Sequence, residues 1–256
     1  NSRVTLGTAS NGAISFTSSK FTASGPLLAV DLGVLPQSGG AISLDNSTWR
    51  STQSTFTVGS RGSGNITLTN GAKLTTSTTS SPSIGKFPGS SGLVLITSGS
   101  SWTETVSGIA IGGADGADGG VATVDVRAGA SLKSAGPIVL YRNGVARGLG
   151  EFIAPVNNWG SFSPGILDGA NFGILNVTGT YSQTNFSFFN IGSDSSPFGP
   201  RSSGDKSGVY ICDVQNTTPG VSHDQIAVVG SASLGGGIVV NDLDYTPPQA
   251  NGPTGV

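Results

Sequence analysis

Two stretches of this chain present the same short apolar segments in the same order, and that repetition constrains the fold more than any other feature. The first runs Ser47-Thr-Trp49, Phe56-Thr-Val-Gly59, Gly62-Ser-Gly64 and Ile66-Thr-Leu-Thr-Asn-Gly71-Ala-Lys-Leu74. The second runs Ser100-Ser-Trp102, Ile109-Ala-Ile-Gly112, Gly119-Gly120 and Val124-Asp-Val-Arg-Ala-Gly129-Ala-Ser-Leu132. Trp49 and Trp102 are 53 residues apart, and so are Gly59 and Gly112. Beyond the glycine turn the offset grows to 58, from Gly71 to Gly129, because Ala114-Asp-Gly-Ala-Asp-Gly lengthens that turn. A weaker echo pairs Phe21-Thr-Ala-Ser-Gly-Pro26-Leu with Leu132-Lys-Ser-Ala-Gly-Pro137-Ile. Insertions confined to one turn are expected of stacked repeats with one variable edge.

Each segment is too short for a helix, alternates apolar with Ser or Thr, and is closed by Gly, Asn-Gly or Ser-Gly. A unit of about 50 residues with several short strands fits a propeller blade or two turns of a β-solenoid. The imperfect repeat and the modest length favour the solenoid. The expectation is an all-β, right-handed parallel β-helix over 1–244, with internal repeats at about 45–75 and 98–135. A C-terminal helix and cap region spans 155–242, and 245–256 is a Pro/Gly-rich exit or linker. Coils of roughly 20 to 25 residues would give about ten coils and a rod on the order of 50 Å long at about 4.8 Å per coil.

Composition agrees and removes other classes. Glycine accounts for 41 of 256 residues, against 12 Lys+Arg and 14 Asp+Glu. The Ala-Leu-Glu-Lys content of helical folds is missing, while a 36% apolar fraction gathered in short runs argues against disorder. A net charge of −2 without a basic cluster argues against nucleic acid as a partner. No apolar run approaches the roughly 18 residues of a membrane-spanning helix. The chain opens at Asn1 without a basic-then-apolar leader, as a processed mature form or a fragment would. A single cysteine, Cys212, excludes an internal disulfide framework and reads as a small buried apolar group.

The unit over 47–72 resembles the passenger repeats of bacterial autotransporters and related surface β-helix proteins. Asn158-Trp159-Gly160-Ser161-Phe162-Ser163-Pro164-Gly165 resembles their Asn-x-Gly-x-x-x-Pro-Gly corner. Two further blocks follow in the family's order, Gly173-Ile-Leu-Asn-Val-Thr-Gly-Thr-Tyr181-Ser-Gln183 and His223-Asp-Gln-Ile-Ala-Val-Val-Gly230-Ser-Ala-Ser-Leu234-Gly-Gly236. The resemblance covers roughly 45–135 and 155–242. It implies a β-helix that is secreted or displayed at the cell surface, here without the translocating barrel, and it reports architecture better than activity.

Chemistry-bearing residues are sparse. His223 is the only histidine, and neither a Gly-x-Ser-x-Gly elbow nor a second metal ligand accompanies His223-Asp224. Acids fall singly, at Asp31, Asp45, Glu104, Asp168, Asp194, Asp205, Asp242 and Asp244, and read as solvated turn residues. No catalytic residue is assigned. The run Gly112-Gly-Ala-Asp115-Gly-Ala-Asp118-Gly-Gly120 is the one candidate Ca²⁺ turn, with Asp115 and Asp118 as ligands, although true calcium β-rolls repeat such a motif in tandem. Trp49, Trp102 and Trp159 are read as internal packing rather than as sugar-stacking platforms. Tyr181, Phe186, Phe188, Phe189 and Phe198 form an aromatic cluster suited to capping the core or to contacting a partner. Sequons stand at Asn46, Asn65, Asn176, Asn185 and Asn216.

These residues suggest a non-enzymatic extracellular structural protein of the surface or matrix, whose partners are other copies of itself. Strand Arg3-Val4-Thr5-Leu6 is the candidate assembly edge, since an unpaired strand offers N–H and C=O groups to a neighbour. A monomeric adhesin that binds extracellular glycans is the alternative. A polysaccharide lyase or hydrolase fits the residues less well.

Overall fold

The computed structural model describes residues 2–22, 27–97, 99–165, 174–183, 209–214, 225–235 and 237–242, and every described element is a β-strand. Successive coils stack in parallel and form a β-solenoid with three faces. The second face is a nine-stranded sheet that begins Gly12–Thr17, Gly39–Asp45, Ser63–Thr69, Ser91–Ile96 and Val121–Val126, one strand per coil. The first and third faces are joined into a 16-stranded sheet because one long strand, Thr48–Val58, passes from the third face onto the first. Nine rungs at about 4.8 Å give a rod of roughly 40 Å.

The first coils are longer than sequence spacing suggests, while later ones, such as Ala122 to Gly144 and Ser131 to Glu151, fall within the expected length, and the rungs are slightly fewer. Gly7, Gly33, Gly59, Gly85 and Gly112 each end a first-face segment, at intervals of 26, 26, 26 and 27 residues. All five have φ between 62 and 77°. The 53-residue sequence repeat is therefore two coils. Trp49 pairs with Leu74, Leu74 with Trp102, and Trp102 with Leu132, so the two tryptophans occupy one column at every second rung. Phe21 pairs with Trp49 at the head of that column, which places the weaker echo of Phe21 and Leu132 on a common line. The extra residues after Gly112 form a two-stranded antiparallel hairpin, Gly113–Ala114 with Ala117–Asp118. Its turn residues Asp115 and Gly116 have φ of 52° and 84°, the left-handed pair that a tight two-residue hairpin requires.

Alternation within each strand sends one residue in two inward, and in-register stacking turns these into columns. Ile42, Ile66, Val94 and Val124 form one column on the second face, and Leu44, Leu68, Ile96 and Val126 form the next. Val58, Ile84, Ile111 and Leu140 face them from the first face. All twelve are fully buried or nearly so. Trp49 and Trp102 are 1% and 0% exposed and belong to this core, so neither offers a face to a sugar. Trp159 is half-buried, with its ring edge-on to Tyr141 at 5.4 Å. At the N-terminal coil Val4, Leu6, Phe16 and Phe21 are only half-covered.

Two corner glycines separate conformation from crowding. A Cβ on Gly59 would stand 1.9 Å from the Ser91 carbonyl oxygen, whereas one on Gly71 meets nothing within 4 Å, yet both have φ above 70°. Gly71→Ala is expected to cost about 1–2 kcal/mol, the left-handed backbone term alone. Gly59→Ala should cost upwards of about 4 kcal/mol, because the neighbouring coil must move as well. Thermal melts of the two variants check this; equal losses would show that the corner is not packed against the next coil.

Candidate functional site

The alternation that makes the core also carries a few polar groups inward. In Ser101–Glu104, Trp102 and Glu104 share the inner side, so the carboxylate is 1% exposed rather than solvated at a turn. Glu104 lies in a polar column running Ser51, Thr76, Glu104 and Ser134, next to the tryptophan column. Its Oε2 accepts from the Thr76 hydroxyl at 2.7 Å. Its Oε1 accepts backbone N–H groups of Thr78, Val106 and Ser107 at 3.0, 3.0 and 3.2 Å. Thr76 Oγ1 in turn accepts the Trp102 indole N–H at 2.9 Å, and Ser51 Oγ accepts that of Trp49 at 2.8 Å. Gln53, 2% exposed, lies beside Thr78 with no described partner for its amide. Each carboxylate oxygen of Glu104 thus takes one donor from the neighbouring coil, Thr76 or Thr78, and Oε1 also holds the turn that follows through Val106 and Ser107.

A second buried carboxylate, Asp125, sits on the outer side of the second face and escapes sequence reasoning. It is covered by arginines on either side: Arg127 Nε lies 2.8 Å from Oδ1, and Arg147 Nε lies 3.1 Å from Oδ2 on the adjacent coil. A Val-Asp-Val-Arg pattern reads as plain strand alternation, and Arg147 is remote in sequence, so only the coil register reveals the pair. Asp31 is likewise engaged, with Arg3 Nη2 at 2.8 Å.

The Ca²⁺ candidates are placed on the hairpin. Asp115 is exposed at its tip, while Asp118 Oδ1 accepts the Arg142 N–H at 3.2 Å. The Tyr141 hydroxyl accepts the Gly116 N–H at 2.9 Å and braces the same turn. Among the described residues no three His, Cys, Asp or Glu side chains cluster as metal ligands would. Of the aromatic cap candidates, Tyr181 is buried in the core beside Phe162, at 5.2 Å between ring centroids, while Phe186, Phe188, Phe189 and Phe198 lie outside the described residues. So do His223 and Asp224, three of the single acids (Asp168, Asp194 and Asp205), Asp244, and the sequons at Asn185 and Asn216. Asn46, Asn65 and Asn176 are exposed. Cys212 is in Val209–Val214, paired in register with Val240.

At the Asn158 corner the resemblance-bearing residues form a closed network. Asn158 Oδ1 accepts the Gly160 N–H at 3.0 Å, its Nδ2 donates to the Tyr181 hydroxyl at 3.0 Å, and that hydroxyl donates to Gln183 Oε1 at 2.8 Å. Burial raises the Tyr181 phenol above its ordinary value of 10.0, opposed in part by the Asn158 hydrogen bond.

One open concavity lies on the second face. It is a groove of about 600 Å³ running across the first coils, its floor Ala13, Ala41, Asn65 and Leu93 on successive rungs. Ser63 and Ser91 line the side where the strands enter, near Gln37 and Ser38.

A comparison with protein-family models, curated proteins and solved structures finds no match for this chain.

Glu104→Leu strands the Thr78 N–H and the Thr76 hydroxyl in the core and frees two part-buried N–H groups, and should destabilise by at least about 3 kcal/mol. Glu104→Gln keeps one carbonyl oxygen for the three N–H donors and should cost about 1 kcal/mol. Chemical denaturation of both variants measures the difference. Tyr181 yields a pH prediction with a definite sign. Because the folded state holds this proton more tightly than the unfolded one, its contribution is intact below pH about 10 and is lost as pH rises further. Tyrosinate absorbance should show Tyr181 silent until the protein unfolds, and Tyr181→Phe should flatten the alkaline loss of stability. Reversible ionisation of Tyr181 near pH 10 in the folded protein would refute it.

Proposed function

We propose that this chain is a non-enzymatic structural β-solenoid of the cell exterior, surface or matrix, that associates with further copies of itself through its first described coil. The observation that carries this reading is the state of that coil. Strands Ser2–Leu6, Gly12–Thr17 and Lys20–Thr22 each hydrogen-bond to a neighbour on one side only among the described residues. Their inward residues Val4, Leu6, Phe16 and Phe21 are half-covered where the equivalent residues of later coils are buried. An edge of this kind is a template for another parallel strand, and further coils would cover its apolar cross-section. Arg3 is tied to Asp31 on its own next coil, which sets its strand in register for such pairing. A low net charge opposes association weakly.

The extracellular and structural parts of the proposal draw support from the resemblance of 47–72 and of the Asn158 corner to autotransporter passengers. They draw further support from the use of Glu104 and Asp125 as ties between coils. Glycan binding by a monomeric adhesin is the second reading, favoured by the groove over the first coils.

Light scattering and negative-stain imaging at neutral pH are expected to show end-to-end oligomers that grow with concentration. Leu6→Lys places a charge on the half-covered end and should return the chain to monomer with its circular dichroism unchanged. Persistent monomers of the unsubstituted chain would overturn the assembly reading.

A further inference from the structure

Charge is not spread evenly along this solenoid. Between Asp45 and Glu104 there is no acidic residue, yet the interval 46–103 holds Arg50, Arg61, Lys73 and Lys86. A chain of net charge −2 thus contains a belt of net charge +4 that spans about two coils. Two of these cations belong to the corner loops that lead into strands lining the groove. Arg61 immediately precedes Gly62 and Ser63, and Lys86 lies five residues before Ser91; Ser63 and Ser91 both line the groove. The corner loops stack on one another along that side: Arg61 N–H donates to the Gly33 carbonyl at 3.0 Å, and Lys86 N–H donates to the Gly59 carbonyl at 2.9 Å. Neither side chain makes an ion pair among the described residues. Both sit over the exposed Phe87 ring, the Arg61 guanidinium carbon at 5.5 Å and the Lys86 Nζ at 5.4 Å from its centroid. The carboxylates nearest the belt are committed elsewhere or lie beyond it: Asp31, in register with Thr57, is paired with Arg3, and Asp125, in register with Leu95, is paired with Arg127 and Arg147. Asp45 accepts from Asn70 at 2.6 Å at the opposite end of the second-face strand, Glu104 is buried, and Asp115 and Asp118 belong to the hairpin of the following corner.

We infer that this groove is a binding site for a linear acidic polysaccharide, a uronic-acid polymer, with Arg61 and Lys86 taking its carboxylates. The groove runs along the rod axis across successive rungs, so its occupant is an extended polymer. Its exposed polar lining, Asn65, Ser63 and Ser91, suits sugar hydroxyls, and its floor has no side chain bulkier than Leu93. Arg61 offers a planar pair of donors that matches a carboxylate, and Lys86 adds a point charge. Phe87 is a positioning residue that holds both cations together over its ring. The groove's first rung, Ala13, lies on the edge strand Gly12–Thr17, but Arg61 and Lys86 belong to later corners than Leu6, so loss of binding in the cation variants and loss of self-association in Leu6→Lys are read separately.

The test uses the whole chain with sodium polygalacturonate as probe, followed by calorimetry and affinity electrophoresis. Dextran serves as the neutral arm and single-stranded DNA as the competing polyanion. Polygalacturonate should bind, and weaken as salt is raised. Arg61→Gln with Lys86→Gln should reduce affinity at least tenfold, and Phe87→Ala severalfold, with melting temperatures unchanged. Arg50→Gln with Lys73→Gln removes the same charge from the third face and should change affinity less than twofold. The inference is overturned if polygalacturonate does not bind, or if both double variants lose affinity equally. Dextran or the DNA binding as tightly as polygalacturonate would overturn it too.

Discussion

In-register parallel stacking of one coil on the next is the constraint from which the other features of this molecule follow. A parallel rung leaves each coil dependent on its neighbours for every strand hydrogen bond, so the corners must repeat in the same place or the ladder breaks. The glycines at 26-residue intervals meet that condition. They supply a left-handed turn at each rung, and the backbone of the next coil packs where a side chain would stand. Once the corners are fixed, alternation within each strand aligns like with like and produces the apolar columns. The same alignment concentrates any polar residue that falls inward.

The architecture was legible in the sequence, and its period only at half resolution. Segments recur visibly every 53 residues because the third-face column alternates large and small, Trp49, Leu74, Trp102 and Leu132, so like residues return at alternate rungs. The single-coil period is carried by Gly7, Gly33, Gly59, Gly85 and Gly112, which a search for similar segments overlooks because their neighbours differ. Sequence spacing falls short of the length of these first coils for that reason, and matches later ones. The lengthened turn after Gly112 was read correctly as an insertion, and the hairpin explains it. The candidate site was less legible. Glu104 looks like an isolated turn acid until Trp102 is known to face inward. Asp125, Arg127 and Arg147 look like scattered charges until coils are placed in register. Phe87, Arg61 and Lys86 come together through stacked corner loops separated by some 25 residues, a relation that no local motif encodes.

Scarce charge has a different meaning in this setting from the one composition suggests. Of the buried acids, Glu104 accepts from Thr76 and Thr78 of the neighbouring coil and Asp125 is ion-paired with Arg127 and, on the next coil, Arg147, so both tie one coil to another. The bases between Asp45 and Glu104 make no ion pair among the described residues. A chain close to neutral overall therefore has a locally polarised surface, and the rod axis turns that local bias into a linear feature beside a linear groove. Net charge alone would have concealed it.

The polar column around Glu104 also bears on how the coils find their register. Strand pairing that slips by two residues keeps the same faces inward, and in the columns of Val, Ile and Leu such a slip exchanges one aliphatic residue for another at small cost. The column of Ser51, Thr76, Glu104 and Ser134 does not tolerate it. A two-residue slip of Ser101–Glu104 against Lys73–Thr78 would separate the carboxylate from the Thr76 hydroxyl and the Thr78 N–H, and would part the Trp102 indole from Thr76. An uncompensated buried carboxylate costs several kcal/mol, more than aliphatic repacking can recover. The indole N–H of Trp102, held by Thr76 of the preceding coil, adds to this condition, whereas that of Trp49 bonds Ser51 within its own strand and is indifferent to register. Aliphatic columns supply the bulk of the cohesion in this solenoid, and a single line of hydrogen-bonded polar groups beside them selects one register from those that the aliphatic columns would accept.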